Sequence, residues 1–124
     1  MEKYIIVSIG AAAGGTFRYW MTSFIHKLFP STFPYGTLTV NILGSFLLGV
    51  IIFYFDDKNL ISPSLKLLLT VGFCGGFTTF STFSIETINL LRDSEISLAL
   101  LNISANILFC LLGVYLAYII SKIF

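Results

Sequence analysis

Four stretches of mainly apolar residues, each long enough to cross a bilayer, occupy almost the whole of this 124-residue chain. A crossing helix needs about 20 such residues. The first stretch runs from Tyr4 to about Ile25 and the second from about Gly36 to Phe55. The third runs from about Ser64 to Leu91 and the fourth from about Ile96 to Ile120. The links hold residues that stop helices: Phe29-Pro30-Ser31-Thr32-Phe33-Pro34, Asp56-Asp57-Lys58-Asn59, Ser62-Pro63 and Arg92-Asp93-Ser94-Glu95. Proline lacks a backbone donor, and Asp and Asn side chains bond their own backbone in turns. In hydrocarbon every backbone N–H and C=O must be paired internally, so apolar runs of this length are expected to be helices. The expectation is an all-α membrane protein, a single integral membrane domain over residues 1–124 with four transmembrane helices. The first stretch is too long for a cleavable signal peptide and is interrupted by Arg18-Tyr19-Trp20.

Composition supports lipid as the solvent. The chain is 56% hydrophobic and 10% charged, against roughly 25% charged residues in soluble domains. The net charge of +1 gives no long-range field, so no nucleic-acid partner is implied. Cys74 and Cys110 lie in apolar runs and read as small hydrophobes. His26, the only histidine, sits near a helix end without a ligand cluster. No nucleophile–base set, metal motif or phosphate-binding loop is present, so the chain does not read as an enzyme.

The costliest segment for a membrane is Gly72-Phe-Cys-Gly75-Gly76-Phe-Thr78-Thr79-Phe80-Ser81-Thr82-Phe83-Ser84-Ile-Glu86. Its glycines, hydroxyls and carboxylate lie inside the third span. Polar or irregular backbone at that depth is tolerated only where protein buries it or a watery cavity meets it. Gly75-Gly76 followed by Thr78-Thr79 is expected to break the helix near the bilayer centre. A break frees carbonyls that lose the donor four residues on. Broken transporter helices use such carbonyls and helix ends to hold Na⁺. Beyond the break, Phe80 and Phe83 share one helix face. An aromatic ring has a positive edge, so two edges can receive a small anion without a formal charge. The hydroxyls of Ser81, Thr82 and Ser84 and the Asn41 amide could donate hydrogen bonds to it. Plain aromatic packing is the competing reading of the two rings.

Four helices fill their own interior, so a solute path is expected at a subunit interface. Gly10-xxx-Gly14 and Gly72-xxx-Gly76 fit the pattern that lets helices approach closely, either within one subunit or between two. Arg18 and Glu86 are the ionisable groups well inside spans, and each needs a partner or a wet vestibule. Arg18 reads either as an anion-attracting residue at a pore mouth or as a snorkelling anchor. Glu86 reads as a proton-coupling acid, an ion-pair partner or a hydrogen-bond acceptor at the break. Asn102 and Asn106, one turn apart in the fourth span, favour interhelical hydrogen bonding. With four spans the termini share a side with Lys3, Lys58, Lys122 and Lys66, against Lys27, Arg92 and Arg18 on the other. So weak a positive-inside bias permits insertion in both orientations and antiparallel assembly; ordinary single orientation with cytoplasmic termini is the alternative.

Three motifs together resemble the Fluc/CrcB family of small fluoride channels. They are Gly14-Gly15-Thr16-Phe17-Arg18-Tyr19, Gly36-Thr37-Leu38-Thr39-Val40-Asn41-Ile42-Leu43-Gly44-Ser45-Phe46, and the third-span run from Gly72 to Glu86. The resemblance covers essentially the whole chain. It implies an antiparallel homodimer of dual topology in the cell membrane, expected to be a prokaryotic inner membrane. The implied activity is passive fluoride export that lowers cytoplasmic fluoride toxicity. By this resemblance Asn41, Phe80, Phe83, Ser81, Thr82 and Arg18 belong to the fluoride pathway. Carbonyls of Gly75 and Thr78 from both subunits would hold a structural Na⁺ at the dimer centre. Two other classes stay open on the residues alone: a proton-coupled small-solute or anion transporter using Glu86, and a non-transporting membrane assembly subunit.

Overall fold

Each predicted span becomes a helical rod, and each rod ends where the sequence supplies a breaker. The computed structural model describes residues 1–124, and they form helices without strands. Helix α1 spans Glu2–Leu28, and α2 spans Tyr35–Gly49 directly after Pro34. The second rod continues as a wider π-helical stretch, Val50–Asp56. The third rod is composite: α3 (Pro63–Leu67), a π-helical stretch Leu68–Cys74, α4 (Gly75–Phe77) and α5 (Phe80–Arg92). Helix α6 spans Ile96–Ile123. The third rod starts cleanly because the Ser62 hydroxyl accepts the Leu65 N–H at 3.1 Å while Pro63 opens the first turn. Asn59 and Ser94 take positive φ, 58° and 60°, where the links reverse the chain.

Three rods are long and apolar enough to cross a membrane: Tyr35–Asp56, Pro63–Arg92 and Ile96–Ile123. Helix α1 matches them in length, with 27 residues. It is less apolar, because Ser8, Thr16, Arg18, Thr22, Ser23 and His26 interrupt it. The two π-helical stretches have no sequence signal comparable to a proline or a cap. They lie near one end of the bundle, where Lys66 Nζ meets Asp56 Oδ2 at 2.6 Å.

The glycine pairs settle how α1 meets the third rod. A methyl group placed on Gly10 would lie 2.9 Å from Gly72 Cα. One on Gly76 would lie 2.6 Å from the Ala11 carbonyl oxygen, and one on Gly14 would overlap the Phe73 carbonyl. The two small-residue motifs therefore pack against each other inside one chain, backbone on backbone. Helix α2 lies on α6 by the same device, with a methyl on Gly49 only 2.7 Å from Ala117 Cβ. Just 22 of the 124 residues are buried, so most of the apolar surface needs lipid or another protein to cover it. The largest fully buried side chains are Val40 and Asn102, and the second of these is polar.

Candidate functional site

The break in the third rod falls on two threonines. Thr78 (φ −89°, ψ 158°) and Thr79 (φ −150°, ψ 117°) are extended, between helical Phe77 and helical Phe80. The sequence places the break in Gly75-Gly76 followed by Thr78-Thr79; the threonines carry it, while both glycines keep helical geometry. Gly76 is small because α1 passes over it, whereas Gly75 faces open space, and no glycine in the chain takes a positive φ. Thr78 closes α4 by donating its N–H (3.0 Å) and its hydroxyl (2.9 Å) to the Cys74 carbonyl. Thr79 opens α5 as its N-cap, its Oγ1 accepting the Thr82 N–H at 3.1 Å.

Asn41 on α2 splints the gap. Its Oδ1 accepts the Thr79 N–H at 2.8 Å, and its Nδ2 donates to the Thr79 carbonyl at 3.2 Å. The side-chain amide thus imitates a neighbouring peptide unit, which satisfies backbone groups that a break leaves open. The second Nδ2 proton goes to Asn106 Oδ1 at 3.0 Å. Both amide protons are committed, so here Asn41 holds the cavity wall together rather than presenting a free donor.

These bonds also decide which carbonyls are released. In an unbroken helix the Gly75 carbonyl would receive the Thr79 N–H, and the Thr78 carbonyl would receive the Thr82 N–H. Thr79 N–H goes to Asn41 instead, and Thr82 N–H goes to Thr79 Oγ1. The Gly76 carbonyl gains a substitute, Arg18 Nε, at 3.0 Å. Arg18 therefore reaches from α1 to the break rather than only anchoring at an interface.

Two cavities flank the break, and Thr79 lines both. The first, of about 400 Å³, brings together Asn41, Gly75, Thr78, Phe80, Phe83 and Asn106. Phe83 is buried at 9% exposure, whereas Phe80 is 79% exposed. Their ring centroids lie 5.3 Å apart at an interplanar angle of 57°. The second cavity, of about 550 Å³, is polar and is lined by Arg18, Thr22, Thr37, Thr79, Thr82 and Glu86. Glu86 Oε1 is buried there without a hydrogen-bond partner, and Glu86 makes no ion pair with Arg18.

The predicted residues thus fall into two groups. Asn41, Phe80, Phe83, Gly75 and Thr78 share the first cavity, and Arg18 and Thr82 share the second. Ser81 is exposed, with Oγ 3.4 Å from Thr79 Oγ1. Thr37 was not singled out by sequence reasoning, and Thr79 was named only as part of the break, not as a residue of the site. Thr79 was visible as one more hydroxyl in the run; its position between the cavities depends on Asn41 from another helix. Ser104 is exposed, while Asn102 and Asn106 are buried and make interhelical bonds, as their spacing suggested.

The fold and site define a multi-pass helical membrane protein whose third rod is interrupted beside a pocket of aromatic rings, amides and hydroxyls. A family profile described as "CrcB-like protein, Camphor Resistance (CrcB)" matches residues 5–118. The chain is 41% identical to the "Fluoride-specific ion channel FluC" of Geotalea uraniireducens (strain Rf4) over 122 residues, covering 98% of each. It is 46% identical to the protein of the same description from Shewanella baltica (strain OS185) over 116 residues, covering 94% of this chain and 93% of the relative. The protein of that description from Magnetococcus marinus is 41% identical over 117 residues, covering 94% and 95%. The chain belongs to the CrcB family.

Proposed function

We propose that this protein is a fluoride-selective channel that lets fluoride leave the cell passively and so limits its toxicity. Near-full-length similarity to relatives described as fluoride-specific channels is the observation that carries the proposal. The chemistry of the break supports it. Fluoride is small and strongly hydrated, so a pathway must replace water with close donors. Phe80 and Phe83 offer ring edges, the hydroxyls of Ser81 and Thr82 offer donors, and α5 directs its positive end toward the break. None of these carries a full charge, which would hold the ion too tightly to pass. Arg18 lies in the neighbouring cavity, where its potential raises local anion concentration. The role is that of an ion channel, not an enzyme.

The working unit is an antiparallel homodimer, with all four rods crossing the cell membrane as one integral domain. Helix α1 crosses because its glycines lock it against the third rod along its length. The exposure of Phe80, the exposure of Gly75 and the weak Lys/Arg asymmetry support a second copy against this face. The carbonyls of Gly75 and Thr78, whose helical donors are diverted, fit a hard cation that prefers oxygen. Two such carbonyls from each of two copies would hold Na⁺ as a structural ion at the dimer centre. Bound there, Na⁺ supplies positive charge that ties the two breaks together.

Fluoride efflux from proteoliposomes, with chloride as control, tests the function. Efflux of fluoride without a pH gradient, and none of chloride, is expected. Strict dependence on a pH gradient would instead support proton coupling through Glu86. No flux of either ion would leave only an assembly role.

A further inference from the structure

The first cavity is backed by a continuous series of side-chain hydrogen bonds that crosses three helices, part-buried at Asn41 and buried beyond it. It begins where Asn41 Oδ1 accepts the Thr79 N–H. Asn41 Nδ2 donates to Asn106 Oδ1 at 3.0 Å. Asn106 Nδ2 donates to the Asn102 carbonyl (2.9 Å) and to Asn102 Oδ1 (3.0 Å). Asn102 Nδ2 donates to Thr87 Oγ1 at 3.0 Å, and Thr87 Oγ1 donates to the Phe83 carbonyl at 2.8 Å. Asn102 is fully buried and Asn106 and Thr87 are each 6% exposed. Every link has one sense, donor to acceptor, from α2 through α6 to α5.

We propose that Asn106, with Asn102 behind it, is a positioning residue for permeation: it fixes the Asn41 amide that splints the break and ties that splint to the turn carrying Phe83. The proposal rests on the reading that Phe83 lines the fluoride path. The physical reason is that an unconstrained Asn side chain can flip, exchanging acceptor for donor. A flipped Asn41 would aim its NH₂ at the Thr79 N–H and its oxygen at the Thr79 carbonyl, two repulsive contacts at a buried break. Asn106 Oδ1 forbids the flip, because it accepts only from the amide face. Asn106 itself is held by two acceptors on Asn102, and Asn102 is held by Thr87. The wall of the cavity and the turn of α5 that carries Phe83 are therefore joined by one series of bonds.

The test uses full-length protein in liposomes and compares wild type, Asn106→Leu, Asn102→Leu and Asn106→Ser. Hydrogen exchange of the Thr79 amide is read beside fluoride flux per folded protein and the fluoride-to-chloride ratio. Asn106→Leu removes the acceptor that orients Asn41, so exchange at Thr79 should rise by about tenfold, as expected for loss of about one net hydrogen bond. Amides of α1 should hold their rates. Flux per folded protein and the fluoride-to-chloride ratio should both fall below wild type. Asn106→Ser keeps a hydroxyl that can accept from Asn41 and donate to the Asn102 carbonyl, and should recover part of both. Asn102→Leu should change Thr79 exchange in the same direction although it touches neither Thr79 nor Asn41. Unchanged Thr79 exchange in Asn106→Leu, or exchange that rises equally in all helices, would overturn the proposal. A wild-type protein that carries no fluoride would refute the channel reading, and Thr79 exchange would still decide whether Asn106 orients the splint.

Discussion

Replacing Gly76 with alanine adds one methyl group where α1 crosses the third rod. That methyl would sit 2.6 Å from the Ala11 carbonyl oxygen, 3.0 Å from Gly15 N and 3.1 Å from Ala11 Cα. All three are backbone atoms, so no side chain can rotate away. Reaching the 3.4 Å of ordinary contact requires a retreat of about 0.8 Å from the oxygen, taking 3.4 less 2.6. A gap of that size forfeits about a quarter to a half of each dispersion contact along the crossing. It also pulls the Gly76 carbonyl from Arg18 Nε, now 3.0 Å away. Overpacking of this kind costs about 1–3 kcal/mol, and the loosened hydrogen bond to a charged donor adds about 1 kcal/mol. The control is Gly15→Ala on the facing helix, whose new methyl would have Gly76 O at 4.0 Å as its nearest neighbour. Stability in detergent, read as the fraction folded after a thermal ramp, should fall clearly for Gly76→Ala and stay near wild type for Gly15→Ala. If both variants match wild type, the backbone-on-backbone crossing is wrong. With it would go the account of why the glycines stay helical.

Phe80→Ile and Phe83→Ile should both depress fluoride flux per folded protein, because each removes a ring edge. They should differ in stability: Phe83 is buried, and its replacement should cost about 1–3 kcal/mol, whereas 79% exposed Phe80 should cost a single chain little. Near-normal flux per folded protein in both would leave the rings a packing role only. Stripping Na⁺ should abolish activity and restoring it should return activity; flux indifferent to prolonged depletion would remove the proposed cation from the Gly75 and Thr78 carbonyls. Reporters on the C-terminus that work on opposite sides of the membrane should both give signal. Signal from one side alone would exclude the antiparallel dimer.

The rods were legible because hydrocarbon leaves a helix-forming chain few alternatives, and the boundaries follow from Pro34, Pro63 and the charged link at Arg92–Glu95. Thr16, Arg18 and Thr22 make α1 less apolar than the other rods, so the fourth span expected from its length does not stand out by hydropathy. The break was legible as a segment but not to the residue. Glycine pairs and threonine pairs both disfavour a helix, and choosing between them requires knowing that α1 lies on Gly76 and that Asn41 faces Thr79. The π-helical stretches at Val50–Asp56 and Leu68–Cys74 depend on packing between rods and left no mark in the residue pattern. Asn102 and Asn106 were readable as interhelical bonds from their spacing. Their connection to Asn41 was not, because it joins residues 65 positions apart.

The bonds from Asn41 through Asn106 and Asn102 are made by amides, which has a consequence for proton movement along them. Hydroxyl, carboxyl and water groups can take a proton on one side and release another on the opposite side. A carboxamide donates only from nitrogen and accepts only at oxygen, so it cannot hand protons along without leaving its stable form. The amides from Asn41 through Asn106 to Asn102 offer no such route, so if the protein is the channel proposed, protons could not follow the anion along this series of bonds.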